Sequence, residues 1–113
     1  MRYLPIHVDT KGKTILIVGG EGAAEAKLRT LLKTEADLHL VAPQIGPEIE
    51  RWLELHTHLR WTKRDFKRSD LKGVILVYAA TEDDAVNLKI SNLARKKGLL
   101  VNAADQKLSL IHI

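Results

Sequence analysis

The segment Thr14-Ile15-Leu16-Ile17-Val18 is an unbroken apolar, β-branched run that stops at Gly19-Gly20. This pattern fits a strand buried on both faces, as in a parallel sheet. Ala24, Leu28, Leu31 and Leu32 follow at i, i+4, i+7 and i+8, which is one face of a helix. Leu38-His39-Leu40-Val41-Ala42 reads as a second strand, stopped by Pro43, and Ile45, Ile49, Trp52 and Leu53 repeat the helical spacing. Leu59-Arg60-Trp61 is a short, weak strand signal. Lys72-Gly73 opens the apolar run Val74 to Ala80, which predicts another strand. Val86, Ile90, Leu93 and Ala94 mark a third helix, with Gly98 placed to cap its C-terminus. Leu99-Leu100-Val101-Asn102 is the last strand expected.

The resulting order, β-α-β-α-β-β-α-β, is the alternation of an α/β protein with a parallel sheet and helices on both faces. Right-handed crossovers favour a Rossmann-like strand order, 3-2-1-4-5. The first and fourth strands then end side by side, at the switch point where ligands of open α/β sheets bind. Gly19 to Ala24 and Ala80 to Asp84 are therefore expected to border one crevice.

Length and composition limit what such a sheet can serve. The 113 residues amount to one domain, 1–113. Hydrophobic residues at 45% and charged residues at 28% are ordinary for a soluble globular protein. No apolar run approaches the ~20 residues of a membrane span, so no membrane is expected as a partner. Met1-Arg2-Tyr3-Leu4-Pro5-Ile6 lacks the apolar core of a signal peptide. Cysteine is absent, which excludes disulfides, thiolate metal sites and cysteine nucleophiles, and fits a cytoplasmic location. The net charge is +4, with Arg60, Lys63, Arg64, Lys67 and Arg68 clustered around Trp61 and Phe66. Such a cluster reads as a polyanion patch or as a solvated loop beside a strand. Asp65 and Asp70 dilute it and no nucleic-acid module accompanies it, so the solvated loop is expected and nucleic acid is not a predicted partner.

Candidate chemistry concentrates in Val18-Gly19-Gly20-Glu21-Gly22-Ala23-Ala24. A dinucleotide loop needs a glycine for the tight turn, a second where backbone approaches pyrophosphate, and a small residue for helix packing. Gly19 and Ala24 suit the first and third roles. Glu21 occupies the middle position, with a side chain where phosphate comes closest and a charge of the wrong sign; Gly22 follows it. The loop reads either as a cofactor site or as an ordinary glycine-containing turn. The carboxylate that grips ribose hydroxyls after the second strand is missing: Val41-Ala42-Pro43-Gln44 stands there, and Asp37 lies at the opposite strand end. The last strand runs into Asn102-Ala103-Ala104-Asp105, where the aspartate is either a general acid–base group or a turn former. His7, His39, His56, His58 and His112 supply no convergent ligand set, and no metal site is predicted. Asp83 and Asp84 fit the first turn of the third helix, where they complement its dipole.

Several of these fragments together resemble one family, the precorrin-2 dehydrogenase/sirohydrochlorin ferrochelatase that forms the N-terminal module of siroheme synthase. Tyr3-Leu4-Pro5-Ile6 resembles its start, and Lys13 to Gly20 its first strand and loop. Ala24-Glu25-Ala26-Lys27 resembles the following helix, and Ala79 to Asn87 its second characteristic segment. Asn102 to Asp105 resembles the strand that ends in its proposed catalytic aspartate. The resemblance implies NAD-dependent oxidation of precorrin-2 to sirohydrochlorin, with ferrous iron insertion in some members. It implies that Gly22, Ala23, Pro43 and Gln44 contact the cofactor and that Asp105 does the acid–base work; Gly19, Gly20 and Thr81, at the expected switch point, complete the predicted cofactor site. Glu21 departs from the family's usual glycine. The sequence also ends at Leu110-Ile111-His112-Ile113, where family members continue into dimerisation and helical regions. The resemblance thus implies a homodimer at full length and a tetrapyrrole site only partly contained in these residues. Two other readings remain: a non-catalytic family member that binds tetrapyrrole, metal or a partner, and an unrelated Rossmann-like sensor.

Overall fold

Side chains alternate across a parallel sheet, and this alternation divides the core in two. In the computed structural model, which describes residues 13–103, strand β1 is Thr14–Val18. Its Ile15 and Ile17 enter one apolar cluster, and its Leu16 and Val18 enter the other. Both sets are almost fully buried, as the unbroken apolar run requires.

Helix α1 (Gly22–Leu31) and helix α2 (Pro47–Leu55) cover the first face. Ala24 and Leu28 of α1 and Ile49 of α2 pack there against β2 (Asp37–Val41) through Leu38 and Leu40. Helix α3 (Asp84–Lys96) covers part of the second face through Ile90 and Ala94. Gly98 follows α3 at φ +78°, the left-handed conformation that closes a helix. The remaining strands are β3 (Leu59–Thr62), β4 (Val74–Ala79) and β5 (Leu100–Ala103).

All four strand pairings are parallel and the order is β3-β2-β1-β4-β5, the order predicted from the pattern. Two details differ from the pattern. Ile45 precedes α2, because Pro47, with its preset φ and no N–H to satisfy, starts the helix. Between β3 and β4 the chain makes a single 3-10 turn, Arg68–Leu71. With no helix in that crossover, Phe66 and Leu71 pack on the second apolar cluster.

Candidate functional site

The chain moves outward from β1 to β2 and β3 and then crosses back past β1 to β4, so the C-terminal ends of β1, β2 and β4 open on one crevice of about 680 Å³. That volume is in the range of small-molecule sites, ~300–1,000 Å³. Gly19, Gly20 and Glu21 line it from the first turn, Pro43 and Gln44 from the end of β2, and Ala80 to Asp83 from the end of β4. The first and last of these belong to the two segments that the pattern placed together, and the end of β2 joins them.

Backbone packing explains Gly19 and Gly20. Gly19 has φ +130°, and a Cβ there would overlap the carbonyl of Ala80. A Cβ on Gly20 would overlap the carbonyl of Gln44. Hydrogen bonds seal the same junction: Gly19 N–H donates to the Val41 carbonyl at 3.0 Å, and Gly46 N–H to the Gly20 carbonyl at 3.2 Å. Gly22 is different. A Cβ there meets nothing within 4 Å. Gly22 and Ala23 are exposed and form the first residues of α1, just outside the crevice walls.

The two helices that start at the crevice end differently. At α3, the Asp83 carboxylate accepts from the N–H groups of Ala85 at 2.9 Å and Val86 at 3.4 Å. At α1, Glu21 holds the N-cap position with extended backbone, and its side chain makes no capping bond. The first-turn N–H groups of α1 therefore keep their partial positive charge for another acceptor, the arrangement that binds phosphate at helix N-termini.

Thr81 is fixed by a residue that carried no sequence signal of its own role. Asn87, 1% exposed, accepts from the Thr81 N–H at 3.0 Å and hydroxyl at 2.7 Å, and donates to the Thr81 carbonyl at 3.0 Å. It completes both backbone groups of Thr81, the second residue past β4. Asn87 stood in a segment quoted for its resemblance, but its burial depends on the fold of the whole helix.

The loop after β3 supplies the third wall through Asp65 and Phe66. Arg64 bonds both Asp70 oxygens, at 2.6 and 2.8 Å, so the basic cluster is not wholly a solvated loop. The guanidinium beside Asp70 holds that carboxyl below the usual aspartate range, and the Lys67 N–H adds to the effect. Beneath the loop, His39 Nε2 lies 2.7 Å from the Thr62 hydroxyl, and burial lowers its pKa.

Charge along the crevice is uneven. Glu21, Asp65, Glu82 and Asp83 line it, with Lys89 as the cation among the lining residues. Shape and free backbone donors suit a dinucleotide, whose pyrophosphate the Glu21 carboxylate at the crevice wall would oppose. Among the described residues, no group of three or more His, Cys, Asp or Glu is placed to hold a metal, and no helix is long and apolar enough to cross a membrane. Asp105 lies outside the described residues. Ala103, two residues before it, pairs with Ala79 at the end of β4.

A family model described as "Putative NAD(P)-binding" matches residues 6–111. The chain belongs to this family. A siroheme synthase of Actinobacillus succinogenes is 35% identical over 95% of the chain, and siroheme synthase 2 of Aeromonas hydrophila is 39% identical over 93%. Each alignment covers 22% of the relative, so the chain spans about a fifth of their length. The solved structure of SirC, a precorrin-2 dehydrogenase, superposes with a TM-score of 0.76 at 32% identity, covering 92% of this chain and 49% of that one. A short-chain dehydrogenase/reductase from Veillonella parvula, solved in complex with NADP, shares the fold at a TM-score of 0.56 and 23% identity. It covers 80% of this chain and 46% of that one. The resemblance to the precorrin-2 dehydrogenase module, the Rossmann-like fold and membership of an NAD(P)-binding family are thereby borne out.

Proposed function

We propose that this chain is the cofactor-binding part of an NAD-dependent precorrin-2 dehydrogenase that yields sirohydrochlorin for siroheme synthesis. The observation that carries the reading is the uncapped N-terminus of α1 at the mouth of the switch-point crevice. The N–H groups of Gly22 and Ala23 would hold the pyrophosphate. Gln44 would bond a ribose hydroxyl, as a neutral and so weaker partner than a carboxylate. Thr81, fixed by Asn87, would border the dinucleotide at the end of β4.

When bound, the nicotinamide supplies the hydride acceptor; the protein positions it and handles protons. Asp105 follows β5, next to β4 in the sheet, and is proposed to take the proton released as the tetrapyrrole is oxidised. Ferrous iron as a second substrate, a homodimer and a cytoplasmic location are part of the same proposal, supported by the family. The acidic crevice favours one rival, a family member that binds a tetrapyrrole or partner without turnover.

Titration calorimetry with NAD tests the cofactor half of the reading, with micromolar to millimolar affinity expected. Absence of heat and of competition at saturating NAD would leave the non-catalytic rival. In a protein that contains this chain and forms sirohydrochlorin, Asp105→Ala should depress turnover and leave NAD affinity nearly unchanged; unaltered turnover refutes the role of Asp105.

A further inference from the structure

The positive charge of the chain is concentrated in one segment. Residues 60–72 hold six lysines or arginines against two aspartates, a net charge of +4, which equals the net charge of all 113 residues. Arg64 bonds both Asp70 oxygens, at 2.6 and 2.8 Å, so that pair is neutral within itself. Arg60, Lys63, Lys67, Arg68 and Lys72 are exposed, and none has an ion-pair partner among the described residues. These cations stand on fixed backbone: Phe66 and Leu71 anchor the loop in the second apolar cluster, and the Arg64–Asp70 pair closes it. A surface ordered in advance costs less entropy to bind.

The cations flank an edge of the sheet. β3 pairs with β2 alone. The carbonyls of His58 and Thr62 accept from the N–H groups of Leu38 at 2.8 Å and Ala42 at 3.2 Å. Backbone groups alternate in direction along a strand, so the N–H and carbonyl of Trp61 turn away from β2, toward the unpaired edge. Such an edge is a template for another strand. Side chains alternate as well: Leu59 and Trp61 lie on the first apolar cluster, which puts Arg60 on the opposite face. On the first side Leu55, 67% exposed, ends α2 four residues before β3 begins. The edge is thus basic on one face and apolar on the other.

Three occupants match this edge badly. Nucleic-acid bases stack on exposed aromatic rings. Here Trp61 packs on the first cluster and donates through Nε1 to the Ala42 carbonyl at 2.9 Å, and Phe66 packs on the second cluster. A membrane surface calls for apolar side chains to insert beside the cations. The exposed large apolar residues, Leu55, Leu88 and Leu100, all lie outside residues 60–72. A second copy of the chain would bring like charge to like charge, the means by which natural sheet edges avoid self-association. An acidic strand meets none of these objections.

We propose that the β3 edge accepts an extended segment of a partner protein in which acidic and apolar residues alternate. Its backbone pairs with Trp61, its acidic side chains meet Arg60 and the cations of the following loop, and its apolar side chains lie toward Leu55. Main-chain pairing supplies affinity, and the cations select the partner. This inference is independent of the cofactor reading.

The probe is a synthetic peptide of alternating Glu and Val, about ten residues long so as to span a typical strand. It is titrated into the full chain and followed by amide chemical shifts. Saturable shifts are expected at Trp61 and Lys63, with a dissociation constant that rises about tenfold between low ionic strength and roughly 0.5 M salt. Arg60→Glu combined with Lys63→Glu should weaken binding about tenfold or more. Lys33→Glu combined with Lys96→Glu makes the same charge change at exposed sites elsewhere and should weaken it less than about threefold. A peptide N-methylated at alternate residues, equal in charge, should bind about tenfold more weakly because it cannot pair. If the doubly reversed chain fails to fold, Lys63→Gln alone, at an exposed position past the strand, should still weaken binding about twofold. The proposal is overturned by the absence of shifts at millimolar peptide, by equal losses in the two double variants, or by equal affinity for the methylated peptide. It is also overturned if oligothymidylate or phosphatidylserine vesicles bind the same cations as tightly, or if the chain forms a dimer that the reversed variant loses.

Discussion

Gly20 and Gln44 pack backbone against backbone: a Cβ on Gly20 would overlap the Gln44 carbonyl. The phosphate-loop turn and the end of β2 are thereby locked together before any ligand enters. Gly20→Ala should destabilise the fold by about 1–3 kcal/mol, the range for overpacking. Gly22→Ala has open space and should leave stability within about 0.5 kcal/mol, as substitutions away from packing contacts do. Urea melts of the two variants check the contrast. Equal losses would mean that the turn is packed differently.

Asn87 serves the backbone of Thr81 on both sides. Asn87→Leu keeps the volume but leaves the Thr81 N–H and carbonyl without partners. A loss of about 2–3 kcal/mol is expected, from unmade hydrogen bonds in a buried setting. Thermal denaturation measures it. A loss below about 0.5 kcal/mol, the noise of ordinary surface changes, would show that Thr81 finds other partners.

Acid should weaken the fold in two steps. Burial, with Arg60 and Arg64 adding to it, lowers the pKa of His39 from 6.5, while Asp70 opposes the shift. The unfolded chain then takes up the proton first, so stability falls as pH drops through 6.5 and levels off once the folded His39 is protonated. Arg64 lowers the pKa of Asp70 from 3.8. The stability from that pair is fully present above 3.8 and is lost as pH falls toward the folded value. His39→Gln should flatten the decline in Tm between neutral pH and pH ~5, and Asp70→Asn the decline at lower pH. Unchanged pH profiles in both variants would contradict these assignments.

The sheet was legible because each strand is a contiguous apolar run and each helix a periodic face. Thr14–Val18 announces burial on both sides, and the alternation with helices then orders the strands. The crevice followed from that order, so Gly19 and Thr81 could be placed together. The Arg64–Asp70 pair was not legible. Six residues separate its members, no periodic element contains them, and Asp70 reads as one of several surface charges until the turn buries it. Asn87 was equally hidden, since its inward direction depends on where α3 sits on the sheet. Gly19 was assigned to the tight turn and Gly20 to the cofactor site, yet backbone contacts within the protein already demand both.

On the proposed reading, Glu21 would oppose the anion held at the N-terminus of α1. Removing its carboxylate should tighten NAD binding. Glu21→Gly should gain about tenfold, allowing for exposure and salt screening, and Glu21→Gln less, since only the charge goes. The gain should shrink as ionic strength rises. Affinities unchanged in both variants would place the Glu21 side chain away from the pyrophosphate.

The central claim is that a dinucleotide binds across the switch-point crevice with its pyrophosphate on the N-terminus of α1. Amide chemical shifts of the isotope-labelled chain, followed during an NAD titration, test it most directly. The account predicts saturable shifts at Gly20, Gly22 and Ala23, smaller ones at Gln44 and Thr81, and none at His56 and His58 near the opposite strand ends. Millimolar NAD that leaves the Gly20–Ala23 amides unmoved, or moves another surface instead, would contradict it.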